Sequence, residues 1–279
     1  MLIDVHIHLA SPDLADDRSP YLKGEVGLSI LYQDPAAKLV TTAELLKELD
    51  ASGVDKALVM GFPFTILDNA KRHNDWLLEE CSRYPGRLYP LAAFDQRVPW
   101  AVKHSEEFLK SGGYGLGELC VYDQGLTEPV LENLTALAEL CRAHDAPMLV
   151  HVNEPIGHRY LGKAPIEIGQ IMDLVIRTQG TKLILAHFGG GLPLFSCLKK
   201  NVRSYLDKVR FDTAAMPYIF DTQALRLGVD LLGPDKFLLG TDFPLLKVPR
   251  YLKYFQDASL SADEISLISG QAAADYLGL

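Results

Sequence analysis

Met1-Leu2-Ile3-Asp4-Val5-His6-Ile7-His8-Leu9 is the stretch on which the fold turns. Residues 2–9 form a short apolar run of the kind that makes a buried strand, with two histidines two positions apart near its end. Side chains alternate between the faces of a strand, so His6 and His8 point the same way, roughly 6–7 Å apart along the chain. Two imidazoles on one rigid strand can clamp a divalent cation, because neutral imidazole nitrogen is a favoured ligand for zinc and its neighbours. A His-X-His pair also arises on strands without function. The later strands decide between the two readings, because several of them end in residues of the same kind.

Strands are expected at 56–61, 87–94, 114–121, 147–152, 182–187, 209–213 and 236–242. Amphipathic helical stretches lie between them. Thr41 or Thr42 caps a helix through Leu45, Leu46 and Leu49 that ends near Gly53. Further helices are expected at 68–84, 100–110, 128–144, 165–178 and 221–232, with another after Gly189-Gly190-Gly191. Two short helices close the chain, the last starting at a box-like Ser261-Ala262-Asp263-Glu264. Apolar strands each followed by an amphipathic helix call for an all-parallel sheet buried on both faces. Eight such units point to an α/β fold, a (β/α)8 TIM barrel, rather than an open sheet. Residues 1–279 read as one domain, with a long irregular loop at 10–38 and an extra C-terminal helix. No linker, repeat or low-complexity tract divides it.

The totals agree with that reading. With 279 residues, 48% of them hydrophobic, the chain can bury one large core. Its 27 lysines and arginines against 36 acids leave a net charge of −9, with no long basic run. Nucleic acid is therefore not an expected partner, although a small positive pocket could hold an anionic small molecule. Cys81, Cys120, Cys141 and Cys197 lack paired spacing, and no signal peptide precedes the first strand, so the cytoplasm is the expected location. No apolar run reaches the ~18 residues of a membrane helix.

Active sites of such barrels are built where the strand C-termini share one rim. The candidates there are His6 and His8, Glu118, His151, His187 and Asp242. The remaining histidines fall elsewhere, with His73, His104 and His144 on helices and His158 in a loop. Histidines without function should favour exposed helices and loops, whereas a buried polar ring needs compensation, which a metal supplies. Each residue has a plain structural reading as well: Glu118 in a salt bridge, His151 or His187 on a backbone carbonyl, Asp242 capping a turn. Substrate contacts are expected from the cationic loop with His158, Arg159, Tyr160 and Lys163, where Arg159 and Lys163 suit a carboxylate or phosphate. Tyr21, Lys23 or Tyr32 could line a pocket from the 10–38 stretch, which could equally be a homodimer contact. Gly189, Gly190 and Gly191 read as close backbone approach and a tight turn rather than a phosphate cradle. Cys120 reads as an inert buried thiol, and Trp76 and Trp100 as packing.

DVHIHL at 4–9, LGEL at 116–119, LVHVNEP at 149–155, LAHFGGG at 185–191 and GTDFP at 240–244 resemble the amidohydrolase superfamily across nearly the whole chain. The segments HVNEPIGHRYLGK, AHFGGGLP and FDTAAMP look most like the amidohydrolase-2 branch, which includes aminocarboxymuconate-semialdehyde-type decarboxylases. Glu118 departs from that decarboxylase pattern and is similar to what TatD-like hydrolases carry. The resemblance implies that His6, His8 and Asp242 bind one metal, that Glu118 is shared, and that His151 and His187 complete a second site. With a single metal, His151 joins the first set and His187 becomes an acid–base or substrate contact. The cofactor is a divalent metal, expected to be zinc, one or two ions, with Mn2+ or Mg2+ as alternatives. The leading expectation is a metal-dependent hydrolase of a small, anionic amide, lactone or ester, with Asp242 as general base. The alternative is a metal-dependent decarboxylase or hydratase, and a TatD-like nuclease comes third. A barrel that keeps a metal only for stability or partner binding would have a closed coordination shell.

Overall fold

The computed structural model describes residues 1–198 and 202–279. Its eight parallel strands stand side by side in sequence order. They are β1 (Ile3–His8), β2 (Lys56–Met60), β3 (Leu88–Ala92), β4 (Gly115–Leu119), β5 (Pro147–Val150), β6 (Lys182–Leu185), β7 (Val209–Asp212) and β8 (Phe237–Leu238). β8 is short, but the chain beyond it closes the ring on β1. Leu239 O accepts from Val5 N–H, His6 O from Asp242 N–H and Phe243 O from His8 N–H, each at 2.9 Å. The result is the expected (β/α)8 barrel.

The principal helices are α1 (Thr42–Ser52), α2 (Leu67–Ser82), α3 (Ala101–Lys110), α4 (Glu128–Ala143), α5 (Ile168–Arg177), α6 (Thr222–Leu232), α7 (Val248–Asp257) and α8 (Ala272–Leu277). Thr41 caps α1, its N–H donating to the Glu44 carboxylate at 3.0 Å, and the chain leaves through Gly53 at φ 68°. Leu45, Leu77, Leu134 and Leu174 on the helices bury against outward residues of the sheet such as Leu116, Val150 and Leu185. Each such leucine contributes about 1.5–3 kcal/mol. Ile3, Val5, Leu58, Leu91, Leu149 and Ile184 fill the barrel interior, where Ala272, Ala273 and Leu277 of the extra C-terminal helix pack against them.

Two strands break the alternation. Ile3 and Asp4 pair with Lys56 and Ala57, but Ile7 and His8 pair with Val59 and Met60, so β1 holds one residue more than β2 over that span. β4 does the same, with Leu116 opposite Met148 and Leu119 opposite Val150. A bulge re-aims the side chains beyond it. Below the bulge Ile3 and Val5 face inward. Above it Ile7 and Leu9 join the outer core, which leaves the imidazoles of His6 and His8 inside.

The 10–38 stretch is not irregular. It holds three short helices, Pro12–Asp16, Ser19–Leu22 and Val26–Tyr32, and buries Leu14, Tyr21 and Leu28 against Phe62 and Phe64. Its prolines suggested a loop, yet Pro12 and Pro20 sit in first turns, where a missing N–H costs nothing. The helix expected after Gly191 opens instead as a 3-10 segment, Leu192–Cys197. Residues 199–201, further along that expected helix, lie outside the described residues. Among the described residues no helix is long and apolar enough to cross a membrane.

Candidate metal centre

The strand ends bring all six candidates together. His6 and His8 come from β1, Glu118 from β4, His151 from the residue after β5, and His187 and Asp242 from the turns after β6 and β8. His6 Nε2 lies 3.3 Å from His8 Nε2 and 3.8 Å from both Glu118 Oε1 and Asp242 Oδ1. His8 Nε2 is 3.6 Å from Glu118 Oε2 and 3.5 Å from Asp242 Oδ1. Glu118 Oε1 also sits 2.9 Å from His151 Nδ1 and 3.2 Å from His187 Nε2. Glu118 thus belongs to two groups, His6–His8–Glu118 and Glu118–His151–His187, each with ligand atoms within 4.8 Å of one another.

Outer partners fix which nitrogens face the centre. His6 Nδ1 meets Asp212 Oδ2 and His8 Nδ1 meets the Gly61 carbonyl, both at 2.8 Å, while His187 Nδ1 meets the Ala214 carbonyl at 3.0 Å. A carbonyl only accepts, so Nδ1 carries the hydrogen in His8 and His187, and Asp212 imposes the same on His6. His6 and His8 therefore turn their Nε2 atoms toward each other across 3.3 Å, an arrangement that calls for positive charge there, a proton or a cation. Two nitrogens held at about 2.05 Å from one tetrahedral ion stand about 3.3 Å apart. The donor set fits a divalent ion.

Charge makes the same demand. Burial opposes a proton on His6, yet the carboxylates of Asp212, Glu118 and Asp242 outweigh it and hold its pKa up at about 10. Burial likewise opposes a proton on His187, and Glu118 with Asp242 and Asp212 holds that pKa at about 9. Glu118 is disfavoured as an anion by burial, but the imidazoles of His151 and His6 keep it well below the usual carboxylate range. Three carboxylates among these rings call for positive charge, as protons or as a metal ion.

Sequence reasoning misses the two carboxylates that brace the site. Asp212 accepts from the backbone N–H of His187 at 2.8 Å and of Ala214 at 3.0 Å while holding His6, so it orients ligands from two strands. It ends β7 as the other candidates end theirs, and that position was its signal. Asp4 accepts from the Thr241 N–H at 3.0 Å and hydroxyl at 2.6 Å, fixing the turn that carries Asp242. Its parity on β1, shared with His6 and His8, was its signal. His187 and Asp242 both adopt left-handed backbone, φ 54° and 57°, a conformation that costs non-glycine residues about 1–3 kcal/mol and clusters at functional sites.

The cluster forms one end of a cavity of about 610 Å³ whose walls include Leu31, Tyr32, Tyr122, Tyr160, Leu161, Tyr218 and Leu245. Of the expected substrate contacts, His158 lines this cavity and Arg159 lies outside its lining. Lys163 donates to Glu154 at 2.6 Å and to the carbonyls of Ile156 and His158 at 2.8 and 3.1 Å, tying its own loop together. Tyr32 lines the cavity, whereas Tyr21 turns to Asp13 and Lys23 lies outside the lining. Gly190, at φ 62°, could not carry a side chain, since a Cβ would meet Asn153 O at 2.6 Å, which agrees with close backbone approach. Cys120 is buried, and burial pushes its thiol well above the ordinary range. One expectation needs correction: His73 and His104 are buried as well, so burial does not mark a functional histidine here. His104 pairs with Asn74 at 2.9 Å, and His73 sits among the rings of Phe62, Phe64 and Trp76. Convergence distinguishes the site.

A parallel barrel with a carboxylate between two imidazole groups at its C-terminal mouth defines a class, the barrel enzymes built to hold a divalent cation. The family model described as Amidohydrolase, of the amidohydrolase-2 branch, matches residues 3–279, and the chain belongs to that family. A curated relative, the gamma-resorcylate decarboxylase of Polaromonas sp., is 24% identical over 242 residues, covering 70% of this chain and 71% of its own. The 5-carboxyvanillate decarboxylase of Novosphingobium aromaticivorans, solved with manganese and 4-hydroxy-3-methoxy-5-nitrobenzoic acid, has a TM-score of 0.73 at 18% identity, over 100% of this chain and 96% of that one. The dihydroxybenzoic acid decarboxylase of Polaromonas sp., solved with manganese and the inhibitor 2-nitroresorcinol, has a TM-score of 0.71 at 18% identity, over 100% and 97%. At such identities these structures speak for the fold. The curated relative speaks against the hydrolase expectation, because it is a decarboxylase, which releases carbon dioxide without net uptake of water. Ligand types at strand ends could not separate the two, since one metal-binding rim serves either reaction.

Proposed function

We propose that this protein is a metal-dependent decarboxylase of a small hydroxylated aromatic acid. One observation carries the reading: a single cavity has one end of imidazoles and carboxylates and walls of tyrosine and aliphatic side chains. The polar end suits an acid's oxygens and the walls suit a ring. Walls of that kind also favour a reaction that turns a carboxylate into neutral carbon dioxide. The names of the similar proteins support the same substrate class.

In this reading His6, His8 and Asp242 would hold one ion and His151 and His187 a second, with Glu118 belonging to both groups. When bound, the ion, proposed to be manganese as in the two similar structures, supplies positive charge for the acid's oxygens. Asp242, whose side chain is 19% exposed, delivers a proton to the ring carbon that bears the carboxylate. The carbon–carbon bond then breaks, its electron pair returns to the ring, and carbon dioxide leaves. Solvent at the cavity mouth returns the proton to Asp242.

The test is to incubate the manganese-loaded protein with a panel of ortho-hydroxybenzoates and to follow carbon dioxide and the phenolic product together. Equal amounts of both are expected, falling by about a hundredfold or more in Asp242→Asn. Turnover of amides, lactones or esters with no carbon dioxide from any acid would overturn the proposal.

A further inference from the structure

Among the described residues Lys38 is the only lysine or arginine that lines the cavity. Arg159, beside His158, lies outside the lining, and two other cations nearby are committed elsewhere. Lys163 braces its own loop, as described above, and Arg18 Nη1 donates to the carbonyls of Tyr32, Asp34 and Ala37 at 3.4, 3.2 and 2.8 Å. Those three carbonyls belong to the segment that ends at Lys38. An Asx turn adds to the hold, with Asp34 Oδ1 accepting from Ala36 N–H at 2.8 Å. Arg18 thus fixes the backbone that presents Tyr32 and Lys38 to the cavity. Among the described residues Lys38 itself has neither a hydrogen bond nor an ion pair. It is exposed, on a segment apart from the strand ends that carry Glu118 and Asp242. A cavity of about 610 Å³ also exceeds what a single ring with one carboxylate requires and falls in the range for larger ligands.

We propose that Lys38 is the specificity-determining cation of the cavity, and that the substrate carries a second anionic group remote from the carboxylate at the imidazole end. The inference rests on the decarboxylase reading for the substrate's aromatic acid end. The second anion follows from Lys38 alone. An ammonium is a point charge on a flexible stem, so it accepts a carboxylate, phenolate or sulfonate at this position without strict geometry. Arg18 is a positioning residue in this scheme, acting through the backbone of 32–37.

Two ligands that differ by one carboxylate supply the test, salicylate and 4-hydroxyisophthalate. Their affinities for the manganese-loaded protein are measured by calorimetry at low salt, and carbon dioxide release is recorded in parallel. The dianion is expected to bind about tenfold more tightly than the monoanion. That ratio falls to near one in Lys38→Met and is kept in Lys38→Arg. A ratio near one in the unaltered protein, or a preference that survives Lys38→Met, overturns the proposal. A Lys38-dependent preference with no carbon dioxide from either acid supports the anion site and overturns the decarboxylase reading instead.

Discussion

Glu118 faces four imidazoles with two oxygens, Oε1 toward His6, His151 and His187 and Oε2 toward His8. A carboxylate only 4% exposed is tolerated when paired, and here every partner is also a candidate ligand. Its position between the two groups is what a shared ligand requires, and the substitution Glu118→Gln separates sharing from salt bridging. Glutamine keeps the shape but loses the charge and puts an NH2, which cannot bind a cation, where one oxygen stood. Metal content by elemental analysis is expected to fall from two equivalents of manganese to one. An unchanged count in the folded variant rejects the shared-carboxylate assignment. Lys163 shows the converse at this scale: its charge is legible in the sequence, but the commitment of that charge to Glu154 depends on the path of a loop that no local pattern specifies.

At the level of elements, eight alternating units made the barrel readable, because strand and helix periods differ sharply and parallel strands need crossovers. The shared face of His6 and His8 was readable for the same reason. Which face it is was not. With Ile3 and Val5 inward, plain alternation sends both histidines outward, and the bulge of β1 reverses them. The second bulge, at Gly117, serves Glu118 in the same way. A bulge is a relation between two strands, so one strand's sequence does not announce it. Gly117 at φ 146° is the local trace, since a Cβ there would meet Leu149 Cβ at 2.7 Å and Leu149 O at 2.9 Å. Gly117→Ala must shift β4 or β5 and move Glu118 with it. A loss of about 1–3 kcal/mol is expected by denaturant titration, together with weaker metal binding. Full stability with undiminished metal affinity would show that the bulge is not needed to place Glu118.

Across the whole molecule, five of the eight strands send residues to one centre, so an ion there joins the first strand to the last as well as to the middle of the chain. Binding to the folded state alone stabilises it by mass action, about 2.7 kcal/mol at a hundred times Kd. pH governs how much of this is realised. His6 and His187 have pKa values raised from 6.5 to about 10 and about 9 by the carboxylates around them. Groups raised on folding stabilise the metal-free fold fully below the unfolded value of 6.5, and that contribution is lost as pH rises through 9 to 10. The metal needs the same nitrogens deprotonated, so its binding expels those protons and strengthens as pH rises. With two protons displaced, affinity should climb by about two decades per pH unit below pH 9. The rise in Tm on adding manganese should therefore be small near pH 6 and large near pH 8.5, while the metal-free Tm drifts down over the same range. Calorimetry in buffers of different ionisation enthalpy counts the protons directly. A metal-induced Tm shift independent of pH, with no proton release, would mean that these imidazoles already present free Nε2 lone pairs at neutral pH and that the surrounding carboxylates do not hold protons on them.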